Sequence, residues 1–167
     1  KTYLMATDNF IVNRRSFGLH TIIAGYPWFL DWGRDTLIAF EGLLLIPKRF
    51  EIAKEVLLTM IKDIKFGLVP NGYSGYDNRP LYNSVDASLL LFEQVKKYLK
   101  YTGDYKFVKE KLYSKLENII ESFCAGIDVD NNNIYLDVDG LIVSGTPETQ
   151  NTWMDAKYDG IPATPRN

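Results

Sequence analysis

Cysteine and histidine are almost absent from this chain of 167 residues, which holds only Cys124 and His20. A single cysteine excludes a disulfide within the chain and is typical of a reducing compartment, so we expect a cytoplasmic protein. A single histidine excludes a metal site with several histidine ligands and argues against a histidine-based triad. This composition favours chemistry that is carried by carboxylates.

Long hydrophobic runs and an excess of either charge are also lacking. The longest apolar stretches, at 43–47 and 89–92, are far too short to span a bilayer. The chain has 19 Lys and Arg against 21 Asp and Glu, for a net charge of -2, so no basic excess points to nucleic acid or an anionic membrane. We therefore expect neither partner, and the sequence gives no sign of a required metal or other cofactor.

What the chain has in unusual density is aromatic residues beside charged ones, above all in the run 26–35, YPWFLDWGRD. Buried charges are costly and exposed aromatics are unusual, so this run indicates the wall of a pocket. Rings offer flat apolar faces, while guanidinium and carboxylate groups offer directional hydrogen bonds. A polyhydroxylated ring such as a sugar uses both. The alternative is the aromatic edge of a core with a surface salt bridge.

Four helices are predicted from the spacing of apolar residues, at about 35–45, 50–66, 85–101 and 104–125. We expect the first to be buried nearly all round, the third to have an apolar first half, and the other two to be amphipathic. Alternating buried and surface helices indicate stacked helical hairpins with an inner and an outer layer. Residues 127–130 and 134–138 flank Asn131–Asn133 and predict a small β-hairpin near 127–143.

Two further clusters hold candidate site residues. Residues 82–86, YNSVD, open the third helix as 26–35 opens the first, and parallel inner helices would bring both clusters to the same end. The alternative for Asp86 is a carboxylate that caps the helix or interacts with its dipole. In the irregular segment 149–157, Asp155 lies near apolar groups, where a raised pKa would suit a general acid. Its alternative is an ordinary solvated aspartate.

Hydrolysis of a glycosidic bond fits these residues, because it needs two carboxylates that flank the bond and groups that hold the sugar. A sugar-binding module without catalysis would have the same composition. The residues by themselves therefore leave both an enzyme and a binding module open.

A signature at 22–35, IIAGYPWFLDWGRD, resembles that of the glucosidase domain of glycogen debranching enzymes, the amylo-alpha-1,6-glucosidase family. Five shorter motifs follow in the family's order: GLVPN at 67–71, YNSVDAS at 82–88, DGL at 139–141, TWMDA at 152–156 and TPR at 164–166. The resemblance implies an all-α (α/α)6 toroid, kinship with glucoamylases, and hydrolysis of α-1,6-linked glucose at glycogen branch points with inversion. The implied partner is a branched α-glucan such as glycogen or limit dextrin.

The resemblance also implies roles for individual residues. Asp155 corresponds to the general acid, and Arg34 with Asp35 corresponds to the pair that grips the hydroxyls of the non-reducing glucose. Four further residues would line the same pocket: Trp28, Trp32, Asp86 and Trp153.

A toroid of this kind needs more helices than the four predicted here, and the family's general base lies beyond the TPR segment. No carboxylate of this chain is assigned to that role. We therefore expect residues 1–167 to be the N-terminal portion of one glucosidase domain, inactive and poorly stable in isolation, with the remainder C-terminal. The alternatives are a glucoamylase- or trehalase-type α-glucosidase and a non-catalytic α-glucan-binding protein.

Overall fold

Helices dominate the computed structural model, which describes residues 2–74, 77–146, 148–149, 151–154 and 156–163. The mostly α-helical class predicted from the sequence is thereby confirmed. The helices are α1 (Thr2–Ala6), α2 (Gly33–Phe40), α3 (Phe50–Lys62), α4 (Asp86–Thr102), α5 (Tyr105–Phe107) and α6 (Tyr113–Ala125). The strands form antiparallel pairs: β1 (Ile11–Arg14) with β2 (Leu19–Ile22), β3 (Gly72–Tyr73) with β4 (Pro80–Leu81), β5 (Tyr135–Leu136) with β6 (Ile142–Val143), and β7 (Lys157–Tyr158) with β8 (Ile161–Pro162). None of the described helices has the length and apolar character needed to cross a membrane.

Three of the four predicted helices have nearly the expected bounds. Helix α2 continues into a π-helical segment, Glu41–Leu45, so the first helical stretch runs from 33 to 45. Helix α4 matches its prediction closely and is terminated by the next residue, Gly103, whose left-handed φ of 66° closes the last turn. A second π-helical segment, Val108–Leu112, joins α5 to α6 within the predicted range 104–125.

The second helix is shorter than predicted, because α3 ends at Lys62 and not near residue 66. The chain turns immediately after it, with Lys65 and Leu68 exchanging backbone hydrogen bonds of 3.2 and 2.9 Å. Phe66 and Gly67 both have positive φ, at 56° and 74°, which is incompatible with a continuing helix. A Cβ at Gly67 would lie 2.3 Å from the Cβ of Ser122 on α6, so the turn packs closely on that helix.

The expectation that the first helix is buried nearly all round is wrong. Its inward face is in the core, with Leu37 and Phe40 fully buried against α4, but Ile38 on the opposite face is 64% exposed. That face borders an open apolar groove of about 460 Å³, shared with residues of β2 and the segment that follows it. Leu89, in the first half of α4, is also 42% exposed, so the apolar run of that helix is buried on one side only.

The β1–β2 hairpin was not predicted, and it positions the segment that leads to the site. The hydroxyl of Thr59 on α3 donates to the backbone carbonyl of His20, at 2.9 Å. The hydroxyl of Thr36 on α2 donates to the carbonyl of Ile22, also at 2.9 Å. These bonds fix β2 against both helices, so the loop from 23 to 32 starts from a defined place.

The hairpin predicted near 127–143 is present with different pairing. The strands are β5 and β6, while 127–130 contributes a single bridge between Ile127 and Ile134. Asn132, in the predicted turn, is buried. Its Oδ1 accepts from Val129 N at 3.1 Å, and its Nδ2 donates to the carbonyl of Tyr82 at 3.3 Å. These hydrogen bonds hold the segment 129–132 inward, so residues 127–130 do not pair along their length with 134–138 as the sequence predicted.

Candidate functional site

Helices α2 and α4 lie side by side and run in the same direction. Near their first turns, Arg34 is hydrogen-bonded to Asp86. Further along both helical stretches, Lys97 Nζ on α4 lies 2.9 Å from Glu41 Oε2, in the π-helical segment that continues α2. Early residues meet early residues and later ones meet later ones, so the helices are parallel. The two polar-aromatic clusters at their N-terminal ends therefore come together, as the sequence predicted.

A cavity of about 420 Å³ opens where these two clusters meet. Among the predicted site residues, Trp32, Arg34 and Asp35 line it. The other described lining residues are Ala24, Phe29, Asn71, Asn83 and Thr152. The lining thus combines two aromatic rings, one guanidinium, one carboxylate and two amides, which is a donor and acceptor set suited to a neutral polar ligand.

Arg34 is held side-on by Asp86. Its Nε donates to Asp86 Oδ2 at 2.6 Å and its Nη2 donates to Asp86 Oδ1 at 3.0 Å. Within the described chain Nη1 makes no hydrogen bond, so this end of the planar group is left to a ligand. Asp86 does not line the cavity itself; it orients the residue that does.

The capping contact at the start of α4 comes from Ser84 and not from Asp86, while Asp86 lies in the first turn of the helix, so its interaction with the helix dipole stays a prediction. The hydroxyl oxygen of Ser84 accepts from the backbone N–H of Ala87 at 3.2 Å, and the same hydroxyl donates to Asp86 Oδ1. Ser84 is fully buried. One serine therefore caps α4 and helps to hold the aspartate that orients Arg34.

Asp35 is exposed and has a different setting. It forms no hydrogen bond or ion pair with any residue that the structure describes. Its carboxylate oxygens are therefore free to accept hydrogen bonds from a ligand in the cavity. Asp35 and Arg34 Nη1 thus offer an acceptor and a donor from consecutive residues of one helix.

Asp31, in the same run, has a structural role. It is 5% exposed and forms an ion pair with Arg14 of β1, and it also accepts from the hydroxyl of Thr21 at 3.3 Å. The Arg14 guanidinium carbon lies 4.0 Å from the centre of the Tyr73 ring, a cation–π contact. This pair ties the loop before α2 to the β1–β2 hairpin.

The loop 68–72 presses directly on the start of α2. The backbone N–H of Gly33 donates to the carbonyl of Asn71 at 2.8 Å, and a Cβ at Gly33 would lie 2.4 Å from the carbonyl oxygen of Pro70. A Cβ at Gly72 would lie 3.2 Å from the Trp32 ring. The two glycines allow this approach, and it carries Asn71 into the cavity wall, a residue that the sequence did not assign to the site.

Of the three tryptophans predicted to line the site, Trp28 and Trp153 are not part of the described cavity lining. Trp28 is 85% exposed and Trp153 is 69% exposed, and neither is among the described lining residues. Each is next in sequence to a residue that does line the cavity, Phe29 and Thr152 respectively. The loop that carries Trp28 is closed by a backbone hydrogen bond from Phe29 N to the Gly25 carbonyl, at 2.8 Å.

Comparison with known proteins identifies the family. Residues 5–167 match the sequence profile of the amylo-alpha-1,6-glucosidase family. This chain belongs to that family. A relative is the glycogen debranching enzyme of Saccharomyces cerevisiae (strain ATCC 204508 / S288c), which is 29% identical over 203 aligned residues. The alignment covers 88% of this chain and 13% of the yeast enzyme, so the chain spans a small part of the length of that relative.

The residue expected to be the general acid, Asp155, lies outside the described residues. Asn151, four positions before it, is held by hydrogen bonds on both its side chain and its backbone. Asn151 is buried, and its Nδ2 donates to the carbonyl of Asn132 and to the hydroxyl of Ser144, both at 2.8 Å. The carbonyl of Asn151 accepts from Val85 N at 2.8 Å, immediately before α4. The segment 151–154 therefore lies at the same end of the helices as the cavity.

Proposed function

We propose that this chain is part of an α-1,6-glucosidase that hydrolyses the branch linkages of glycogen-like α-glucan and releases glucose with inversion. The observation that carries the proposal is the cavity where α2 and α4 begin, in which Arg34 is fixed by Asp86 and Asp35 is unpaired among the described residues. Membership of the amylo-alpha-1,6-glucosidase family supports the reaction class.

The lining suits the non-reducing glucose of a branch. The Trp32 ring offers an apolar face to the C–H groups of a sugar, and the guanidinium and carboxylate on α2 offer a donor and an acceptor to its hydroxyls. Because Arg34 is already held in place, a sugar that binds to it orders little additional side chain. The cavity volume of about 420 Å³ falls within the range of roughly 300–1,000 Å³ that is usual for small-molecule sites.

In the proposed reaction Asp155 is the general acid. It donates its proton to the glycosidic oxygen as the bond to the glucose C1 breaks, so the departing glucan leaves as an alcohol. A second carboxylate, roughly 6.5–9.5 Å away, takes a proton from the water that attacks C1 from the opposite face. We infer that this general base comes from residues beyond Asn167, since no carboxylate of the chain is assigned to it.

We further propose that residues 1–167 are the N-terminal portion of an (α/α)6 toroid. The parallel arrangement of α2 and α4, separated in sequence by α3, is the arrangement expected of two inner helices of such a fold. Ile38 on α2 and Ile46, just beyond the π-helical segment that continues the helix, are apolar and 64% and 63% exposed, which supports a further helical layer that covers them in the complete domain.

Glucose release from an α-1,6-branched limit dextrin tests the function, with the anomer followed by NMR immediately after hydrolysis. We expect no glucose from this chain alone, and β-glucose from a protein that extends beyond Asn167. Initial release of α-glucose would contradict inversion. Binding without release by the extended protein would favour the non-catalytic α-glucan-binding protein. Preference for α-1,4 or α,α-1,1 linkages would favour the glucoamylase or trehalase type.

Asp155→Asn tests the general acid in the extended protein. The amide cannot protonate the leaving oxygen, so we expect hydrolysis to fall by about 10²–10⁴-fold while glucan binding is kept. Asp159→Asn is the matched control, because it makes the same change in the exposed turn between β7 and β8 and should leave the rate unchanged. Hydrolysis that survives the Asp155 change would refute the assignment.

A further inference from the structure

We propose that Asn71 is a third polar group that holds the sugar, acting as a hydrogen-bond partner of a ring hydroxyl beside Arg34 and Asp35. Asn71 is 4% exposed and lines the cavity. Its buried side-chain oxygen, Oδ1, has no hydrogen-bond partner in the part of the chain that the structure describes. The inference rests on the proposed function, since it assigns a further contact within the same site.

The backbone of Asn71 is held on both sides. Its N–H donates to the carbonyl of Leu81 on β4 at 2.9 Å, and its carbonyl accepts from Gly33 N at 2.8 Å. Both main-chain groups are therefore used, one by the β3–β4 hairpin and the other by the start of α2. A residue fixed in this way presents its side chain from a nearly constant position, as a preorganised binding group must.

An unpaired buried amide oxygen destabilises the folded chain, because the water that it loses on folding is not replaced by another donor. A hydroxyl that binds in the cavity would supply the missing donor once the amide turns its enclosed oxygen towards it. The cavity setting also selects the chemistry of the ligand. Asparagine carries no charge and offers both an acceptor and a donor, which matches a neutral sugar hydroxyl.

Gln94 on α4 supplies the comparison that separates binding from folding. It is 3% exposed, and its Oε1 is likewise buried without a partner among the described residues. Unlike Asn71, it is not one of the described residues that line the cavity. Replacing either amide by leucine removes a buried unpaired oxygen but adds volume, so we expect both variants to change the melting temperature by similarly small amounts. Only the Asn71 variant should lose ligand.

The test uses Asn71→Leu and Gln94→Leu in the full-length protein, with calorimetric titration of D-glucose and its 2-, 3-, 4- and 6-deoxy derivatives. We expect Asn71→Leu to bind glucose about 3- to 10-fold more weakly, as for the loss of one neutral hydrogen bond, and Gln94→Leu to bind as the wild type does. One deoxyglucose should bind equally to the wild type and to Asn71→Leu, and it identifies the hydroxyl that contacts Asn71.

Three results would overturn the inference. Equal glucose affinity of the wild type and Asn71→Leu would refute the role of Asn71 and leave the proposed function intact. An equal loss in Gln94→Leu would show a general effect of core amides. A wild type that binds no glucose would refute the proposed function together with this contact. If Asn71→Leu melts several degrees lower than the wild type, Asn71→Ser in the same titrations decides.

Discussion

Two arginine–aspartate pairs lie close to the candidate site, and they differ in what they leave unpaired. Asp31 is almost completely buried and accepts hydrogen bonds from both Arg14 and Thr21, so this pair is satisfied within the protein. Arg34 pairs with Asp86 through Nε and Nη2 alone. A partly buried ion pair adds little net stability, because the charged groups lose their hydration. We therefore interpret the Arg34–Asp86 pair as one that orients the unpaired Nη1 of Arg34 towards the cavity.

Arg34→Ala tests that role at the level of one side chain. We expect the affinity for a glucose-like inhibitor to fall by ~1.5–3 kcal/mol, because a charged hydrogen bond to the sugar is lost. Arg34→Lys should recover only part of it, since lysine cannot reproduce the side-on pair with Asp86. Titration calorimetry measures both. Arg15→Ala, at an exposed arginine in the turn after β1, is the control. Unchanged affinity in Arg34→Ala would make this residue structural.

For single residues, the sequence predicts a place in the site when the neighbouring residues in the chain form a recognisable polar and aromatic cluster. The run 26–35 indicated a pocket wall, and Trp32, Arg34 and Asp35 line the cavity. Asp31 could not be separated from them, because its partner Arg14 is 17 positions earlier. Asn71 was missed because an asparagine within a Gly- and Pro-rich loop reads as a turn residue.

At the scale of secondary structure, the start of α2 depends on a close contact with the loop 68–72. Gly33 is the first residue of the helix, and its position leaves no room for a side chain beside the Pro70 carbonyl. Gly42, in the π-helical segment that continues the same helix, has open space around it. Substitution by alanine should therefore have opposite effects on stability at Gly33 and at Gly42.

Gly33→Ala should destabilise the protein and Gly42→Ala should not. A Cβ at 33 would lie 2.4 Å from a backbone oxygen, so the loop or the helix must move, at a cost of about 1–3 kcal/mol. At 42 the same change meets no atom within 4 Å, and the helix propensity of alanine should add about 0.5–1 kcal/mol. Urea unfolding of both variants measures the difference. Equal effects would show that the contact at Gly33 is unimportant.

The predicted elements that proved accurate are those with long apolar periods. Helix α4 was predicted almost to the residue, since its spacing persists for four turns and Gly103 ends it. The β1–β2 hairpin was missed because its strands have four residues each and owe their position to bonds with α2 and α3. The change to π-helical winding at Glu41–Leu45 leaves no sign in the apolar pattern.

At the scale of the whole molecule, carboxylates join elements that are distant in sequence. Glu41 accepts from Lys97 and Tyr101 of α4, at 2.9 and 3.1 Å. Glu55 of α3 lies 2.7 Å from the ring Nδ1 of His20 on β2. Asp104, before α5, accepts from Phe107 N at 3.1 Å and pairs with Lys54 of α3. Each contact is stronger with an ionised carboxylate than with a protonated one, so together they link the stability of the fold to pH.

The direction of that link follows from the pKa shifts. Hydrogen bonds from Lys97 lower the pKa of Glu41 and those from His20 lower the pKa of Glu55, both below the ordinary 4.5. The N–H of Phe107, then Lys54, lowers the pKa of Asp104 below 3.8. Because the folded state holds these protons less tightly than the unfolded state, the stability that the groups contribute is complete above their ordinary values. That contribution to stability is lost as pH falls through the lowered pKa values of the folded state.

We therefore expect the urea midpoint to decline as pH falls below about 4.5, and Glu41→Gln to lessen that decline. The glutamine cannot titrate, so this variant should be weaker than the wild type at neutral pH and approach it at the acidic end. Glu117→Gln, at an exposed position of α6, should follow the wild type throughout. If the Glu41→Gln curve instead runs parallel to the wild type down to pH 2, the contact with Lys97 and Tyr101 does not hold α2 and α4 together. The alignment of their N-terminal ends would then rest on Arg34 and Asp86 and on the apolar core between the helices.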